Sequence, residues 1–139
     1  MSQEVQTLFK WNDNEFEFDT RDADDAERLE KAVDAIQKAE KAMPKDGKTS
    51  DLIRLQCSMI KDFFDTCLGE GSGVLICTEK NRLDLHYEAY EAFLRMVRGQ
   101  KNYITDKGNT FRQYSNREQR RHPQNPGQNQ KAPNLRPVK

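Results

Sequence analysis

Between Leu52 and Cys67 the chain repeats apolar side chains at Ile53, Cys57, Ile60, Phe64 and Cys67. These steps of three and four put one continuous apolar face on an α-helix, and Leu52, Leu55, Met59 and Phe63 widen it. A stripe this broad has to be covered from more than one side, so this helix is the expected centre of any core. Thr49, Ser50 or Asp51 can cap its start, and Gly69 stops it. The rest of the fold is then a question of what packs against it.

A second amphipathic segment precedes it. Asp19, Asp22, Asp24 and Asp25 crowd a helix start expected near Asp22, where a helix N-terminus favours negative charge. Ala26, Leu29, Val33, Ile36 and Met43 form its apolar face, which Glu40 interrupts, before Pro44 and Gly47 end it. After Gly69-Glu70-Gly71-Ser72-Gly73, the run Val74-Leu75-Ile76-Cys77 is too short for periodicity to decide; a short helix tucked under the core is the preferred reading. Asn81 is a plausible cap for a last helix, with Leu83, Tyr87, Tyr90, Phe93, Leu94 and Val97 on its apolar face and its end near Asn102 or a little beyond. Upstream of all four, Val5–Trp11 and the alternating Glu15–Phe18 flank Asn12-Asp13-Asn14, which predicts a β-hairpin. One hairpin is marginal in water, so it has to pack on the helices or on another copy.

The expected architecture is mainly α. A small bundle of three to four helices over residues 21–107 carries an N-terminal hairpin, residues 1–20, and a disordered basic tail, residues 108–139. The tail follows from composition: Asn, Gln, Pro, Arg and Lys dominate it, and Pro123, Pro126, Pro133 and Pro137 block regular structure. Of the 139 residues, 33% are charged and 35% apolar, which leaves material for one small core. The formal net charge of zero hides a partition. From Gly108 onward seven cations face Glu118 alone, a net of +6, and the preceding residues carry −6.

Chemistry-bearing patterns are sparse. The glycine-rich turn at Gly69–Gly73 lacks the Lys-Ser/Thr ending of a phosphate loop and follows a helix rather than a strand. Cys57, Cys67 and Cys77 recur at intervals of ten, which is not a chelating spacing, and only His86 and His122 can add imidazoles. The early aspartates lack the glycine and terminal glutamate of a calcium loop. These absences predict no catalytic residues, no metal and no cofactor, hence not an enzyme. Met1–Lys10 contains no long apolar run, and no stretch approaches the ~20 apolar residues of a membrane span, so a cytoplasmic protein with reduced thiols is expected.

Several residue groups, taken in order, resemble those of siphophage tail assembly chaperone-type proteins from phages and prophages of Gram-positive hosts. Phe18-Asp19 leads into Asp22-Ala23-Asp24; Ile53-Arg54 precedes Gln56-Cys57 and Phe63-Phe64-Asp65; Gly69-Glu70-Gly71 and Asn81 follow. The likeness closes on Tyr114-Ser115-Asn116-Arg117-Glu118-Gln119-Arg120-Arg121 and covers about Phe16 to Arg121. The longer hairpin, Leu75-Ile76-Cys77 and the Pro/Gln segment after Arg121 depart from that pattern. The resemblance implies a protein of the host cytoplasm, absent from the mature virion, that binds the tape measure protein and tail tube subunits during tail assembly.

The client would lie on an amphipathic surface, sought among Phe63, Phe64, Leu75, Ile76, Tyr87, Tyr90 and Phe93, with Arg117, Arg120 and Arg121 meeting a second partner; each of the seven apolar residues is also an ordinary core candidate. Two other readings stand beside this one. A nucleic-acid-binding regulator would use the basic tail with Lys101 and Lys107, against the repulsion of an acidic body, so nucleic acid is disfavoured. A phage-encoded inhibitor of a host protein would have the same physical character as the chaperone. A homo-oligomer stays open.

Overall fold

The computed structural model describes residues 4–121, with side chains to Asn116. In chain order it contains β1 (Leu8–Trp11), β2 (Asn14–Glu17), α1 (Ala23–Lys41), α2 (Thr49–Leu68), α3 (Ser72–Cys77) and α4 (Leu83–Arg121). The chain divides into two units, Met1–Tyr103 and Ile104–Lys139, with the boundary inside α4.

In the first unit β1 and β2 pair antiparallel through a two-residue turn, Leu8 opposite Glu17 and Phe9 opposite Phe16. Asn12 and Asp13 take φ of 50° and 64°, the left-handed conformation that a tight hairpin needs and that Asn and Asp tolerate. This register turns Phe9, Trp11, Phe16 and Phe18 toward the helices and leaves Lys10, Glu15 and Glu17 in solvent. The turn also docks: the Asn12 amide donates to the Ile76 carbonyl at 2.7 Å and Asn14 to the Leu75 carbonyl at 3.2 Å. Both carbonyls belong to the last turn of α3, whose C-terminal acceptors have no helical partner of their own.

Phe93 of α4 lies at the centre of the core. Its ring meets Phe9 at 5.2 Å, Phe18 at 5.3 Å, Phe64 at 5.4 Å and Phe63 at 5.9 Å, so one side chain ties the hairpin to α2. α2 supplies Cys57, Ile60, Phe63, Phe64 and Cys67 as buried residues, as its apolar stripe requires. α1 caps through Asp22, which accepts from the Asp24 and Asp25 amides. α2 starts after Lys48 with no side-chain cap, so neither Thr49, Ser50 nor Asp51 plays the expected part. α4 starts at Leu83, which puts Asn81 one residue before the cap position; its side-chain Oδ1 accepts from Lys61 Nζ at 3.4 Å. α3 begins at Ser72, two residues before the apolar run. Gly73 lies so close to α2 that a Cβ there would sit 2.5 Å from the Lys61 carbonyl oxygen. The Gly73 amide donates to Asp65 Oδ1 at 2.7 Å, a cap supplied from α2.

The second unit corrects the tail boundary. α4 continues through Arg121, so residues 108–121 are helical rather than part of a disordered tail. No proline intervenes between Pro44 and Pro123, so nothing there forbids the i to i−4 ladder. Residues 122–139 lie outside the described ones. From Ile104 to Asn116 the side chains are exposed apart from a half-buried Gly108.

Candidate partner-binding groove

Within the first unit, α1, α2 and α4 leave an open cleft of about 410 Å³. α1 contributes Val33, Ile36, Gln37 and Glu40, with Met43 just past its end; α2 contributes Gln56, Met59 and Ile60; α4 contributes Tyr87 and Tyr90. Val33, Ile36, Met43, Met59 and Tyr90 are half-buried, the intermediate state of a wall rather than a core. The Tyr87 hydroxyl donates to Gln56 Oε1 at 2.8 Å, fixing the ring at the mouth, and its ring meets Tyr90 at 6.3 Å. Tyr90 is held from behind by Phe63, edge to face at 5.1 Å, and burial pushes its hydroxyl above the usual tyrosine range. Glu40 is the one carboxylate lining the cleft among the described residues.

This lining suits an apolar guest more than a reacting one. Two flexible methionines adapt to irregular side chains, two tyrosines offer large rigid faces, and the cleft volume matches common binding pockets. A second cleft of about 390 Å³, between the hairpin and α4, carries Lys10 and Arg95 beside Trp11 and Met96.

Of the seven apolar residues expected to bind a partner, the structure brings only Tyr87 and Tyr90 to the groove. Phe63, Phe64, Ile76 and Phe93 are at most 2% exposed and belong to the closed core, because they pack on one another and on the hairpin from opposite sides. Leu75 is 53% exposed with Val74 beside it at 43%, both on α3 and away from the groove lining. Arg117, Arg120 and Arg121 fall in the last turns of α4, where the backbone alone is described. The apolar groove residues that sequence reasoning missed are Val33, Ile36 and Met43 on the α1 side and Met59 and Ile60 on α2. Their signal was present: an α1 stripe broken by Glu40 does not belong to a fully covered face.

The cysteines are free and buried, and burial pushes the Cys67 and Cys77 thiols up to about 12 and raises Cys57. Held as thiols, they pack as small apolar groups. His86 is fully buried. Its Nδ1–H donates to the Arg82 carbonyl at 2.7 Å, while Nε2 has no hydrogen-bond partner among the described residues. Among the described residues no group of three His, Cys, Asp or Glu is placed to hold a metal ion, and no helix is long and apolar enough to cross a membrane.

Fold and groove together define a small helical body that presents a soft apolar cleft. The chain belongs to the family of unknown function DUF6673, whose pattern it matches over residues 12–124. Searches of curated proteins and of solved structures return no match.

Proposed function

We propose that this protein is a binding chaperone that performs no chemistry of its own and receives an apolar-striped helical segment of a client in the α1/α2/α4 groove. The observation that carries this reading is the groove itself: half-buried methionine, isoleucine and tyrosine side chains line an open cleft beside a closed aromatic core. An amphipathic helix laid in such a groove buries its anchors at i, i+3, i+4 and i+7 while its polar face stays wet. The ordered resemblance of Phe18-Asp19 through Arg121 to tail assembly chaperones supports a phage tape measure protein as the client, with tail tube subunits as further partners. A tape measure exposes long apolar stripes until the tube encloses it, and many copies of a small groove-bearing protein would keep it soluble. The place of action is then the host cytoplasm, before the particle is finished.

Co-expression tests this. The cognate tape measure is expected to be soluble with this protein and to aggregate without it. Equal solubility in both cases contradicts the reading.

The charge partition favours one other reading, a nucleic-acid-binding regulator working through the +6 segment from Gly108 onward. It predicts retarded DNA or RNA mobility that is lost with added salt. No retardation at low salt excludes it.

A further inference from the structure

The helical stretch Ile104–Arg121 has the composition of a segment that does not hold a helix alone. Gly108, Asn109 and Thr110 are successive weak helix formers, so propensity gives this end of α4 little support. Its exposed large apolar residues lie on one stripe: Ile104 is 43% exposed, Phe111 72% and Tyr114 62%, at i, i+7 and i+10. Five cations against Asp106 and Glu118 give this stretch a net charge of +3, whereas residues 1–103 carry −6. This C-terminal stretch thus offers a basic helix with an exposed apolar stripe, and residues 1–103 an acidic body with an apolar groove containing Glu40.

We propose that the Ile104–Arg121 stretch of one copy docks in the α1/α2/α4 groove of a second copy, linking chains head to tail. This rests on the groove as a docking site for amphipathic helices and adds that, without a client, the occupant is the protein itself. The dimensions agree: the stripe from Ile104 to Tyr114 is about 15 Å long, and the α1 wall from Val33 to Glu40 about 10 Å, which Met43 extends. Charge selects the occupant, since a basic helix approaching an acidic body is favoured at long range and a second basic helix is not. The contact joins two different surfaces, so a docked pair keeps one free groove at one end and one free helix at the other. Assembly therefore continues past the dimer into a ring or an open filament. A client helix entering the groove displaces the neighbour, which couples client binding to disassembly.

Sedimentation velocity of the full chain alone, over a wide concentration range at low and high salt, tests the proposal. The expected result is a mass that grows beyond the dimer with concentration and falls with salt. Phe111→Glu on the helix and Met59→Glu in the groove should each weaken association on the order of tenfold or more. Mixed together they should form a dimer and nothing larger, because one intact helix and one intact groove remain. Circular dichroism confirms that both variants stay folded; Tyr114→Glu and Ile36→Glu replace either that does not. A monomer at every concentration, a mixture that fails to pair, or association lost with Phe111→Glu but kept with Met59→Glu overturns the proposal. No client is present in this assay, so its failure leaves the chaperone reading standing, and failure of co-expression leaves this one standing.

Discussion

Gln100 is the polar residue on which the hairpin depends. It is fully buried on α4, and all of its amide is used. Oε1 accepts from the Thr20 amide at 2.8 Å and the Thr20 hydroxyl at 2.7 Å; Nε2 donates to the Gln6 and Phe18 carbonyls, each at 2.8 Å. These bonds hold the chain on both sides of the hairpin at positions where the backbone has no sheet neighbour. Gln100→Met keeps the volume but strands these groups, at a cost of about 3 kcal/mol. Urea unfolding followed by Trp11 fluorescence checks it, since Trp11 stacks on Phe9 at 5.6 Å within the hairpin. His86 gives a prediction of the opposite kind. Burial lowers its pKa below the ordinary 6.5 and leaves Nε2 unprotonated. The unfolded chain then binds the proton more readily than the folded one. This contribution to stability is complete above pH 6.5 and is lost as pH falls from there through the depressed folded value. Unfolding midpoints compared at neutral and mildly acidic pH should fall less for His86→Phe than for the parent chain.

At the scale of elements, α3 is held by two backbone positions of opposite character. Gly73 lets it touch α2, and any side chain there drives a Cβ into the Lys61 carbonyl; Gly73→Ala should destabilise the fold by roughly 2 kcal/mol. Thr78, just past α3, takes φ 68° and ψ 172°, which a β-branched residue adopts only under strain. Thr78→Gly should stabilise by about 1 kcal/mol, and thermal melts of the two variants should shift in opposite directions. These elements also show how far a sequence can be read. The hairpin, the α1 start at Asp22, the α2 stripe and its stop at Gly69 were all legible, because each rests on local chemistry: turn residues, a cap, period and a glycine. The reach of α4 past Gly108 was not, because charged and amide-rich composition suits either a helix or a coil and only the absence of proline separated them. Nor was the division of the apolar residues between core and groove. Phe63 and Met59 share one helix and one apolar face, and only the position of α4 and the hairpin decides that the first is sealed and the second is not.

Across the whole molecule the governing facts are a closed aromatic core, a soft cleft beside it and a charge divided between the two units, acidic through Tyr103 and basic beyond. The core explains why the cleft is stable without a guest: Phe63 supports Tyr90 from inside and Gln56 fixes Tyr87 at the mouth. If helices dock in the cleft as proposed, the charge division favours basic ones at long range, and salt weakens that preference. The central proposal is that the cleft is where a client helix binds. Hydrogen exchange of this protein with and without the proposed tape measure client measures that directly. Exchange should slow along Val33–Met43, Gln56–Ile60 and Tyr87–Tyr90 when the client is present. Slowing confined to α3 or to the hairpin, with those three stretches unchanged, would contradict it.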